Sequence, residues 1–87
     1  MTTEAILDDR EKQYGSFKNT GHAFERIYRA ILPMSKALTN TPLLYAYAGI
    51  SMKLARLCNN PLHIDSWRDI AGYATLAADY LEGRDHE

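Results

Sequence analysis

The sequence predicts an all-α fold: a compact bundle of three to four helices with an antiparallel C-terminal helical hairpin, gathered into an oligomer. Three observations predict it. The chain is 46% hydrophobic, with eleven Ala and ten Leu but no Val, a composition that favours helix over strand. Its apolar residues recur at helical rather than alternating spacing. Breaks at Tyr14-Gly15-Ser16, Thr39-Asn40-Thr41-Pro42 and Asn59-Asn60-Pro61 divide it into four segments.

The first segment, a helix over about 3–13, is short and polar. Ile6 and Leu7 are its large aliphatics, followed by Asp8, Asp9, Arg10, Glu11 and Lys12. The second spans about 20–37. Thr20 is its N-cap, Ala23, Phe24, Ile27, Ile31 and Met34 its stripe, and Pro33 kinks or ends it near Leu32. The third spans about 42–59. Thr41 followed by Pro42 is a strong start, and Leu43, Tyr47, Ile50, Leu54 and Leu57 form the stripe, with Gly49, Met52, Lys53 and Arg56 away from it.

The fourth helix spans about 65–82, opening on Ser66-Trp67-Arg68-Asp69 with Asp65 as a competing cap. Trp67, Ile70, Ala71, Ala74, Ala78 and Leu81 make its core stripe. Tyr73, Leu76 and Tyr80 make a second apolar stripe beside it, and Gly83 is the stop. Two stripes exceed what one hairpin partner covers. The excess predicts a second copy of the chain, meeting it at Tyr73, Leu76 and Tyr80.

Length and charge bound the function. Eighty-seven residues make a single domain, 1–87, which buries only a little over ~60% of its unfolded surface and gains from oligomerising. Ten basic against eleven acidic side chains set up no global field toward DNA, RNA or a membrane. No apolar run is long enough to span a bilayer and no basic leader opens the chain, so the expected location is the cytoplasm. Cys58 stands alone and supports no disulfide framework.

Three constellations could carry chemistry. Asp65 and Asp69 are four apart and can point the same way on a helix. They either hold a divalent cation against phosphate or cap the helix and favour its positive end. Lys53 and Arg56, on the preceding helix, either pair with those carboxylates across the hairpin or form a cationic pocket for phosphate oxygens. Tyr14-Gly15-Ser16-Phe17 either closes the core through its rings or forms, with Arg10 or Lys18, a lid that stacks on a base. His22, His63 and His86 have no ligand spacing, and no Walker loop or nucleophile elbow occurs.

Arg10-Glu11-Lys12-Gln13-Tyr14-Gly15-Ser16-Phe17, and Met52-Lys53-Leu54-Ala55-Arg56-Leu57 running into Asp65-Ser66-Trp67-Arg68-Asp69-Ile70-Ala71-Gly72-Tyr73-Ala74, resemble small phage-encoded proteins related to the MazG-like all-α nucleotide pyrophosphohydrolases. That resemblance covers about residues 5–82. It implies a MazG-like fold in which a Glu-x-x-Glu pair on one helix and a Glu-x-x-Asp pair on the next hold magnesium against a nucleotide. Asp65 and Asp69 match the neighbourhood of the second pair, at spacing four rather than three. The first pair has no counterpart; its helix reads Tyr45, Ala48, Gly49, Met52, Lys53 and Arg56.

Cations therefore stand where carboxylates would be expected, which points away from an enzyme and from any cofactor. The expected function is a non-catalytic phage accessory protein in the host cytoplasm. It binds or sequesters a nucleotide or nucleotide-derived signal against a host defence, through Lys53, Arg56, Tyr14, Arg10, Asp65 and Asp69. One alternative is an interaction module for a host protein. Another is a minimal metal-dependent nucleotide pyrophosphohydrolase, the one reading that needs Mg²⁺, with Asp8, Asp9 or Glu11 completing a site shared between subunits.

Overall fold

Four helices and one 3-10 turn follow one another: α1 (Thr3–Tyr14), α2 (Phe17–Ile31), the turn (Leu32–Met34), α3 (Thr41–Asn59) and α4 (Ile64–Leu81). The computed structural model describes residues 2–34, 36 and 39–84, and of Gln13 and Tyr14 the backbone only.

Short polar side chains decide where each helix begins, and three of them differ from the expected caps. Thr2 accepts the Ala5 N–H at 3.1 Å and opens α1. Gly15, at φ 82, turns the chain out of it. Ser16 then accepts the Asn19 N–H at 3.1 Å, so α2 begins at Phe17 and Thr20 lies inside it, its N–H bonded to the Ser16 carbonyl. The cap moves upstream because the glycine has already redirected the chain and left Ser16 extended. At the far end α2 stops at Ile31 and tightens into the turn, since Pro33 has no N–H to continue the ladder. Within the expected 35–37 extension, Ser35 and Ala37 lie outside the described residues.

The cap of α3 is Asn40, whose side-chain oxygen accepts the Leu43 N–H at 3.3 Å; Thr41 is already helical, with Pro42 in the first turn. The cap of α4 is His63. Its Nδ1 accepts the Ser66 N–H at 3.3 Å and lies 2.9 Å from the Ser66 hydroxyl. Neither Ser66 nor Asp65 caps this helix, because Ser66 is itself the capped residue. Gly83, at φ 82, follows the end of α4.

Helix α3 is central and meets each of the other three, whereas among the described residues α4 touches only α3. The helices lie side by side rather than closing round a common core. The radius of gyration is 14.6 Å, against roughly 12 Å for a close-packed chain of this length. Helices α3 and α4 run antiparallel in one register: Lys53 meets Asp69 at 2.9 Å and Gly49 faces the Tyr73 ring.

That register exchanges the two stripes expected on α4. The residues turned toward α3 are Ser66, Ile70, Tyr73, Ala77 and Tyr80, all buried or half-buried. Trp67, Ala71, Ala74, Ala78 and Leu81, expected in the core, are exposed. The two sets are offset by a single residue, about 100° of helix rotation. Gly49 decides between them, because it leaves a hollow that a large ring fills. Gly49 and Lys53 of α3 thus belong to a helix contact, although they stand off the leucine stripe.

Candidate functional site

A groove of about 870 Å³ lies between α1, α2 and α3, with Tyr73 of α4 reaching its far wall. Helix α1 contributes Arg10 and Glu11 near its C-terminal end. Helix α2 contributes Phe17 and Phe24, and α3 contributes Tyr45, Met52 and Arg56. Two guanidinium groups, one carboxylate and four aromatic rings therefore share one cleft.

Local sequence explains the arrangement. Gly15 sits in the groove wall where the chain passes from α1 to α2. A Cβ there would lie 2.7 Å from the Asn59 side chain, so glycine is required both for the turn and for the approach of α1 to the end of α3. Phe17 is the first residue of α2 and is 96% exposed, an apolar ring with almost no intramolecular cover. Phe24 lies seven residues on, two helical turns along the same face, and stacks on Tyr28 at 5.4 Å. On α3, Tyr45, Gly49, Met52 and Arg56 share one face by their 4-3-4 spacing. The first turn of α2 carries no acidic side chain, so the positive end of its dipole is left uncompensated beside the groove.

The six expected ligand residues divide. Arg10 and Arg56 both line the groove. Lys53 does not; it is turned beneath α4 onto Asp69, with its side chain 11% exposed. The Lys53 hydrogen bond is the main reason the Asp69 carboxyl lies below its ordinary range. Partial desolvation opposes the shift, and the charges of Lys53, Arg56 and His63 add to it. Asp65 is exposed in the first turn of α4, and the side chain of Tyr14 lies outside the described residues. Tyr73 and Tyr80, expected at an interface, are half-buried toward α3, and Leu76 is half-exposed. With Pro42 and Tyr45 these three line a second cleft of about 330 Å³. Among the described residues no group of three or more His, Cys, Asp or Glu gathers, and no helix is long and apolar enough to cross a membrane.

Phe24, Tyr45 and Met52 were not singled out by motif. A signal for two of them existed: Tyr45, Ala48, Gly49, Met52, Lys53 and Arg56 are the positions where the resemblance sought carboxylates, and all but Lys53 line the groove.

Fold and site together define a small all-α domain with an open groove lined by arginines and aromatic rings. The chain belongs to DUF6378, a domain of unknown function, whose family model matches residues 1–81 and so spans all four helices. No curated protein and no solved structure matches the chain.

Proposed function

We propose that this protein binds, without hydrolysing, a nucleotide or nucleotide-derived small molecule in the α1–α2–α3 groove. One observation carries the reading: Arg10 and Arg56 line the same cleft as Phe17, Phe24, Tyr45 and Tyr73. Arginine offers a planar fork suited to phosphate oxygens, and aromatic faces stack on any base. A ring and an anion in one ligand match that lining. Asp69, one of the two carboxylates that the metal-dependent alternative relies on, is instead held by Lys53. In the phage setting that the resemblance implies, holding such a signal would blunt a host defence.

A second reading is favoured by the exposure of Phe17 and Leu7 at the groove, 96% and 57%: a helical segment of a host protein could cover them.

Thermal shift against a panel of mono-, di- and cyclic nucleotides tests the proposal. Stabilisation is expected that weakens with added salt and falls about ten-fold in apparent affinity for Arg56→Ala. Phe17→Ala should lose the same response with no change in the melting temperature of the free protein. A flat panel for the wild-type chain overturns the proposal in favour of the second reading.

A further inference from the structure

Helix α4 touches only α3 among the described residues, and its outward side is apolar along its whole length. Ile64, Trp67, Ala71, Ala74, Ala78 and Leu81 follow one another at intervals of 3, 4, 3, 4 and 3, the spacing of a helix-pairing seam. The seam is about 25 Å long. Its large members are well exposed, Ile64 at 63%, Trp67 at 51% and Leu81 at 65%. The indole N–H of Trp67 donates to the Pro61 carbonyl at 2.8 Å, so the ring is held in place with its polar atom satisfied.

The chain as a whole also carries more surface than an ordinary monomer of its mass. It exposes 6657 Å², where roughly 5,200 Å² is ordinary for a monomer of 9.9 kDa. The surplus of roughly 1,450 Å² exceeds the ~800 Å² per partner of a standard protein interface.

We propose that two copies of this chain pair through these faces, α4 against α4, antiparallel about a two-fold axis between Ala71 and Ala74. The pattern of sizes is self-complementary in that register, which is also the antiparallel one that covers all six seam residues. Ile64 of one copy meets Leu81 of the other, Trp67 meets Ala78, and Ala71 meets Ala74, so each bulky side chain falls opposite a small or aliphatic one. Three alanines at the centre let the helix axes approach to about 8 Å. Parallel pairing would stack Trp67 on Trp67. The groove lies outside this seam, so the pairing does not depend on the ligand reading.

Trp67 is the only tryptophan of the chain and reports on the interface directly. Sedimentation of the full chain at tens of micromolar, with acrylamide quenching of its fluorescence, makes the test. The expected result is a dimer with a protected indole, and a monomer with an open indole in Ala74→Glu. The buried charge should weaken association by about a hundred-fold or more. Ala74 is exposed in the single chain, so the variant should keep its helical circular dichroism. Should it not fold, the wild-type measurements decide alone. A monomeric wild-type chain, or a dimer whose indole remains open to quencher, overturns the proposal.

Discussion

The ring of Tyr73 on α4 occupies the space above Gly49 on α3. A Cβ on residue 49 would lie 2.5 Å from the ring carbons. The Tyr45 ring stands beside it, 6.2 Å away between centroids, so the one contact seats α4 and also forms part of the groove wall. Gly49→Ala should therefore destabilise the chain. Overpacking costs about 1–3 kcal/mol, and the gain in helix propensity of about 1 kcal/mol only partly offsets it. Repeating the substitution in a Tyr73→Ala background removes the clash and should reverse its sign. Urea unfolding of the four chains measures both; a destabilising Gly49→Ala in the Tyr73→Ala background would dismiss the ring as the cause.

Gly15 and Gly83 share φ 82 but differ in surroundings. A Cβ at Gly15 meets Asn59 at 2.7 Å, while at Gly83 it meets nothing within 4 Å. Gly83→Ala should cost about 1–2 kcal/mol from the left-handed backbone alone. Gly15→Ala should cost more, because its ψ of −169 belongs to a region open essentially to glycine and because Asn59 must move. Equal losses in thermal melts would remove Asn59 from the account.

The Lys53–Asp69 pair makes stability pH-dependent in one direction. Asp69 has a lower pKa folded than unfolded, so its contribution is present above the ordinary value of 3.8. That contribution fades as pH falls through the lowered one. The carboxylate is half exposed, which keeps the effect small. Asp69→Asn should therefore be less stable than wild type at pH 7, with the difference closing toward pH 2. A gap that stays constant across acid titration would mean that the charge of Asp69 contributes nothing.

His63→Ala should cost about 1 kcal/mol through loss of the α4 cap. His63→Asp should keep most of the stability, since a carboxylate accepts the same N–H and favours the positive end of the helix. Equal unfolding midpoints for the two variants in urea would show that the cap is not what His63 supplies.

The sequence by itself determined the helices, their order and their breaks. These are local matters: Ala and Leu content, 3.6-residue spacing, Pro33 and Pro42 with their missing N–H groups, and Gly15 and Gly83 free to take positive φ. It also marked Arg10, Arg56 and the Gly15 turn as worth chemical notice. Tertiary structure decided what periodicity leaves open. On α4 two apolar stripes differ by one residue, and spacing cannot say which faces α3; the hollow above Gly49 chose Tyr73 and left Trp67 outside. The same contact separated Lys53 from Arg56, which sequence had grouped. Three residues leave two side chains about 60° apart round a helix, and with α4 packed over Lys53 that is enough to send one beneath α4 and leave the other at the groove. Capping was lost to sequence for a related reason. Asn40 and His63 cap because of where the preceding turn leaves the backbone, and that depends on how the flanking helices are already packed.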